Sequence, residues 1–142
     1  MKKLDFLGIF AIYHGIECQM NDHEEGTVML ATDDSAAIKY DFSERLPGWF
    51  VKDKIRSIDI DCVYLKSVKG LYREKAVWLL FVAPDGEINI GAAGSDWEIY
   101  KNLGFTFRDR GVYDNKVLLE EISEIVEIRK PMIFVGKRWE EE

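Results

Sequence analysis

The sequence predicts an α+β fold in a single domain, with a mainly antiparallel sheet and two or three helices, the clearest of them in the C-terminal half. Three observations support this prediction. Short apolar runs separated by turn residues follow one another through much of the chain. Helical spacing of apolar residues becomes clear only late in the chain. The length of 142 residues and the hydrophobic share of 47% suit one domain, which we assign to residues 1–142.

The N-terminal half carries the first predicted strands. Residues 5–13 are apolar enough for either a strand or a short helix, and the sequence leaves both open. Residues 27–32 and 36–42 are predicted to be two strands, because the turn-forming letters DDS separate them. An alternation of apolar and polar residues then predicts a strand that begins at residue 57 and reaches residue 64.

The middle of the chain predicts a hairpin followed by a glycine corner. Residues 76–83 are nearly all apolar, which is typical of a central strand covered on both faces. The turn APDGE follows, and the next apolar residues return antiparallel. A dinucleotide-binding loop needs three glycines between a parallel strand and a helix. Because this corner has only two glycines, we interpret Gly91 and Gly94 as a sharp turn. Ser95 is then the N-cap of a helix over residues 96–103.

A second helix is predicted over residues 115–127, before a last strand over residues 132–135. Apolar residues recur in the predicted helix at i, i+4 and i+7. Three glutamates recur with the same spacing on another face: Glu120, Glu124 and Glu127. Because like charges at this spacing destabilise an isolated helix, we interpret this face as a candidate partner surface. The alternative is an ordinary solvated face.

The charge of the chain indicates the kind of partner. The net charge of −7 penalises binding to nucleic acid, whose affinity for proteins depends on neutralising phosphates. A strongly acidic surface speeds encounter with a cationic partner. We therefore expect a cationic protein partner, such as a toxin or a nuclease, and no nucleic acid. Trp139, followed by an acidic tail, is a further candidate for the partner surface, because tryptophan is enriched at interface hot spots.

The strongest catalytic-looking cluster is HGIECQMNDHEE, residues 14–25. It holds His14, Cys18, His23 and several carboxylates up to Glu25, all of them types that bind transition metals. The spacing matches no zinc signature, and no third group is evident that would orient a cysteine–histidine pair. We therefore predict no metal, no cofactor and no catalytic residue. A small metal-dependent or cysteine/histidine enzyme that uses this region is the alternative.

The cellular location is predicted from cysteine usage and hydropathy. Cys18 and Cys62 form no disulfide framework, which suits a reducing compartment, although the sequence leaves open whether these two pair. No apolar run approaches the length of a membrane span. The first residues lack the length and cleavage pattern of a signal peptide. We expect a cytoplasmic protein without membrane contact.

By its size, its acidity and its lack of a catalytic motif, the chain is similar to immunity proteins, small bacterial proteins that neutralise cationic toxins. The resemblance implies a non-enzymatic protein-binding module, an acidic inhibitor of a cationic partner. The enzyme described above is the second hypothesis, and a structural subunit of a larger complex is the third. The sequence leaves the oligomeric state open.

Overall fold

The fold is mainly antiparallel β-sheet. The computed structural model describes residues 2–22, 26–136 and 138–142; 61% of the chain is strand and 13% is helical. Within the described residues the only α-helix is α1, Trp97–Asn102, and the other helical segments are short 3-10 turns. The predicted α+β class with two or three helices is therefore wrong, and the chain has a β-rich fold. None of the described helices has the length and hydrophobicity that crossing a bilayer requires.

The strands follow one another with short connections. In chain order they are β1 Gly8–Tyr13, β2 Ile16–Asp22, β3 Thr27–Thr32, β4 Ser43–Leu46, β5 Trp49–Arg56, β6 Cys62–Tyr72, β7 Lys75–Val82, β8 Ile88–Ala93, β9 Thr106–Asp109, β10 Val112–Val117, β11 Ile122–Val135 and β12 Arg138–Glu141. Tight turns explain several of these connections. His14 and Gly15 both have positive φ between paired Tyr13 and Ile16, which is the conformation of a type I′ hairpin turn.

The chain divides into two compact units, which we call the first unit (Met1–Lys66 with Arg129–Glu142) and the second unit (Ser67–Ile128). β6 and β11 each have one end in the first unit and the other end in the second. The assignment of residues 1–142 to a single domain stays a prediction.

In the first unit the strand order is β4-β5-β3-β2-β1-β6, and every neighbouring pair is antiparallel. β12 pairs with the C-terminal end of β11. Alternate residues of β2 face the core, because side chains alternate between the two faces of a strand: Ile16, Cys18 and Met20.

One predicted strand of the first unit is instead a 3-10 turn. Residues 36–42 were expected to be extended, but Ser35–Tyr40 is a 3-10 helix. The side chain of Asp34 accepts a hydrogen bond of 2.9 Å from the backbone N–H of Ala36 and caps the turn. The sequence prediction is wrong here because aspartate can satisfy a helix N-terminus as readily as it can end a strand.

In the second unit the strand order is β6-β7-β8-β10-β9, again antiparallel throughout. The predicted hairpin is confirmed, since β7 and β8 pair with each other, and the helix predicted over residues 96–103 is α1. The aromatic core of the second unit joins α1 to the sheet. The ring of Tyr113 lies 5.0 Å from that of Tyr100 and 6.2 Å from that of Phe105.

The helix predicted over residues 115–127 does not form. β10 occupies the start of this range, Leu119–Glu121 is a 3-10 turn, and β11 begins at Ile122. Most apolar residues between the end of β10 and the middle of β11 are isoleucine or valine. These β-branched residues lose side-chain freedom in a helix and pack well on a pleated strand. The helical spacing of the apolar residues is therefore outweighed by pairing in the sheet.

Candidate protein-binding surface

Residues 118–127, with the sequence LLEEISEIVE, form an exposed segment of the second unit. Four of its apolar side chains are about half exposed: Leu118 (49%), Leu119 (50%), Ile125 (46%) and Val126 (48%). Its four glutamates are also exposed: Glu120, Glu121, Glu124 and Glu127. No lysine or arginine occurs within it. The 118–127 segment therefore combines apolar area with negative charge that no basic residue of the segment offsets.

A hydrogen-bonded turn sets the start of this segment. The backbone N–H of Leu118 donates to the Glu121 carboxylate at 2.8 Å, and the N–H of Glu121 donates to the carbonyl of Leu118 at 3.0 Å. Glu121 is thereby committed to the turn. Glu124 has a φ of 50°, a left-handed conformation that a non-glycine residue adopts uncommonly and that interrupts regular strand geometry. These two local features replace the regular helix that the sequence pattern predicts.

Close packing on β6 holds the segment in place. Ile122 is the one buried residue of the 118–127 segment. A Cβ atom built on Gly70 of β6 would lie 2.7 Å from Cγ2 of Ile122 and 3.1 Å from the carbonyl oxygen of Ser123. Only glycine leaves room for so close an approach, so β11 lies directly against the backbone of β6 at this point.

The structure keeps three of the predicted site residues in one exposed segment, although not on a helix face. Glu120 lies in the 3-10 turn, whereas Glu124 and Glu127 lie in β11. The side chains of Glu120 and Glu124 form no hydrogen bond or ion pair within the described part of the chain. Both carboxylates are therefore available to a partner, and their assignment to a partner surface stays a prediction.

Trp139, the fourth predicted site residue, lies in β12 of the first unit. Its ring is partly buried, packs against the core of that unit and lies 5.3 Å from the ring of Phe134. Its indole nitrogen is buried and has no hydrogen-bond partner among the residues that the structure describes. These contacts give Trp139 a packing role in its own unit, and its role as a partner anchor stays a prediction.

Two members of the 14–25 cluster, His14 and Cys18, make packing contacts in the structure. The ring of His14 stacks on that of Tyr40 at 4.3 Å. Cys18 is fully buried, and this burial, followed by the nearby carboxylates of Asp34 and Glu17, raises the pKa of its thiol to about 12. The thiol is thus protonated at neutral pH and is a poor nucleophile and metal ligand.

His23, Glu24 and Glu25 of that cluster lie outside the described residues. In the described ranges, no group of three or more histidine, cysteine, aspartate or glutamate side chains is placed to hold a metal ion.

A carboxylate network in the first unit was not predicted from the sequence. Glu17 of β2 accepts a hydrogen bond of 3.2 Å from Lys66 of β6, one of 3.1 Å from Arg129 of β11, and one from the Tyr64 hydroxyl. The Lys66 side chain is only 8% exposed and lies 4.5 Å above the ring of Phe10. The two cations are partly desolvated and therefore need a nearby anion. Through these hydrogen bonds Glu17 links β2, β6 and β11 of this unit.

A second exposed apolar surface lies on β7. Trp78 and Phe81 are 44% and 42% exposed, although their strand was predicted to be covered on both faces. Only the face that carries Val77 and Leu79 is buried. The sequence signal was a continuous apolar run, which does not distinguish a doubly covered strand from one that exposes apolar side chains.

No curated protein and no solved structure matches the chain. A family model described as "Uncharacterised conserved protein UCP033725" matches residues 7–134. This range includes the whole 118–127 segment and ends before β12, so the segment falls within the part of the chain that the family model describes. The chain therefore belongs to the family of the uncharacterised conserved protein UCP033725.

Proposed function

We propose that this protein is a non-enzymatic binding module that inhibits a cationic protein partner through its 118–127 segment. The observation that carries the proposal is the exposure of four apolar side chains among four glutamates in a stretch without a basic residue. Apolar side chains exposed beside uniform charge fit a protein partner better than a small molecule, because they offer contact area without an enclosed pocket.

Charge and apolar area have different roles in this proposal. The glutamates, together with the net charge of −7, attract a cationic protein and raise its association rate. The apolar side chains lose water in the complex and slow its dissociation. A nuclease is a suitable partner, because the basic surface that holds its nucleic acid would be neutralised by the segment. The proposal places the encounter in the cytoplasm, the location predicted from the sequence.

The first experiment identifies the partner and tests its charge. The immobilised protein is incubated with lysate from its native cells, and bound proteins are identified by mass spectrometry. A triple charge reversal, Glu120→Lys, Glu124→Lys and Glu127→Lys, is run in parallel. The matched control reverses three glutamates of the C-terminal tail, Glu140, Glu141 and Glu142. We expect a basic protein that the parent and the tail variant retain and the triple variant loses.

Kinetics with the purified partner then test the mechanism. Raising the salt concentration from 0.01 M to 0.15 M shortens the Debye length from about 30 Å to about 8 Å, so association should slow steeply. At low salt the triple reversal should associate at least about tenfold more slowly than the parent. Inhibition of the partner's own activity should fall in parallel. A triple variant that associates as fast as the parent at 0.01 M salt would show that the segment does not recruit the partner.

A further inference from the structure

The strand part of the 118–127 segment has an unpaired edge. β11 pairs with β6 and with β12, and β12 is confined to the far end of β11, from Met132 to Val135. Among the described strands, β6 is therefore the only one available to pair with the first half of β11. The other edge of this half presents backbone N–H and C=O groups without a strand partner. Such an edge is a template on which another chain can add a strand.

Both faces of this part of β11 are also partly exposed. Ile125 and Val126 are consecutive, so their side chains project to opposite faces of the strand. Each is about half exposed. A strand of a β-sheet usually buries at least one of its faces in its own core. An added strand would give both side chains cross-strand neighbours, which a partner contacting a single face could not do.

We propose that the cationic partner binds by adding a β-strand to this open edge. The inference rests on the proposed function and specifies how the partner is held. Cross-strand neighbours of Ile125 and Val126 must be apolar, and those near Glu124 must be basic. The partner strand therefore carries two consecutive apolar residues flanked by lysine or arginine.

The charge of the segment also selects against a second copy of the chain. Pairing two copies of this edge in antiparallel fashion would bring glutamates of one copy close to glutamates of the other, and like charges facing each other across strands are destabilising. A basic strand meets no such repulsion. The same edge therefore distinguishes between a self-complex and a complex with a cationic partner.

Two other strand edges, those of β4 and β9, fit an added strand less well. β4 and β9 end the strand order of the first and second unit, respectively, and each is short, Ser43–Leu46 and Thr106–Asp109. Each carries an arginine engaged in an ion pair: Arg45 with Asp53 at 3.0 Å and Arg108 with Asp114 at 3.0 Å. The shortness of these two strands disfavours further pairing. β11 is longer and exposes apolar side chains.

The test uses synthetic peptides, so it does not depend on knowing the partner. The probe is an end-blocked peptide with the sequence KVVKKVVK. Its comparison carries a methyl group on every inner amide nitrogen, which removes the main-chain donors but keeps the side chains and the charge. We expect the methylated peptide to bind at least about tenfold more weakly in fluorescence anisotropy. Hydrogen exchange should show that the unmodified peptide slows exchange of backbone amides in the first half of β11.

Four outcomes test strand addition and the charge role on which it rests. Equal binding of the methylated and unmodified peptides would overturn it, while the role of charge in the proposed function would stand. Absence of amide protection at a saturating peptide concentration would also overturn it. Trp78→Ala, which removes exposed apolar area on β7, should bind the peptide as the parent does; a tenfold loss would place the peptide on β7 instead. Glu124→Lys with Glu127→Lys should weaken binding, and unchanged binding would instead contradict the charge role on which the proposed function rests.

Discussion

Replacing Gly70 with alanine tests the packing that holds the 118–127 segment on the sheet. The added Cβ would lie 2.7 Å from Cγ2 of Ile122, 3.1 Å from the Ser123 carbonyl oxygen and 3.5 Å from Cγ1 of Ile125. The first distance is well below van der Waals contact, and the second involves backbone, which does not yield as a side-chain tip does. β11 must therefore shift, and we expect the free energy of unfolding to fall by about 1–3 kcal/mol, the usual cost of overpacking.

The matched control is Gly91→Ala, in the same unit. There the added Cβ would meet Cδ1 of Leu80 at 3.1 Å, the end of a flexible side chain. This contact can be relieved by a small rotation, so the loss of stability should be smaller than for Gly70→Ala. Urea denaturation of the parent and both variants gives the comparison. A loss below about 0.5 kcal/mol for Gly70→Ala would show that β11 does not pack on the backbone of β6 as described.

Two further predictions concern other parts of the chain. The pKa of the Cys18 thiol is about 12 in the folded protein, above its ordinary value of 9.0, so its contribution to stability is complete below pH 9 and is lost as the pH rises towards 12. At pH 10.5 the free energy of unfolding of the parent should have fallen by about 2 kcal/mol relative to that of a Cys18→Ala variant. Urea titrations that show parallel pH profiles for the two proteins would contradict this. The N-cap of α1 is Asp96, which forms no side-chain capping bond, so the predicted cap at Ser95 is wrong. Ser95→Ala should therefore change the free energy of unfolding by less than about 0.5 kcal/mol. Asp34→Ala, which removes an observed cap, should cost about 1 kcal/mol in the same denaturation assay, and equal effects would refute the contrast.

The sequence predicted β3 and the β7–β8 hairpin correctly. Residues 27–32 are β3 with the predicted bounds, and the predicted hairpin is β7 with β8. The range 57–64 was only partly right, because Ser57–Asp59 is a 3-10 turn and β6 begins at Cys62. Local spacing could not show this, because a short turn and the start of an alternating strand place apolar residues at similar intervals.

The candidate surface was predicted in composition but not in geometry. The clustering of Glu120, Glu124 and Glu127 is visible in the sequence, whatever the backbone does. A helix would have buried the apolar stripe of residues 118–126, so their exposure could not be foreseen. The network around Glu17 was also beyond local reasoning, because Lys66 and Arg129 are 49 and 112 residues away in the chain. Contacts of that range depend on the order of strands in the sheet, which a single sequence does not specify.

The magnitudes indicate why the proposed partner would use both charge and main-chain pairing. Completing the burial of a half-exposed leucine, isoleucine or valine contributes about 0.7–1.5 kcal/mol, half the value for full burial, so the four such side chains of the segment supply about 3–6 kcal/mol. Association costs an estimated 4–15 kcal/mol in lost freedom of motion, so apolar contact alone does not give a stable complex. Strand addition contributes further hydrogen bonds of about 0.5–1.5 kcal/mol each, and it satisfies edge groups that would otherwise lose water without a partner. We therefore expect a partner that presents a basic strand to bind more tightly than one that presents a basic helix or a neutral strand, because only the basic strand combines apolar contact, main-chain hydrogen bonds and charge attraction.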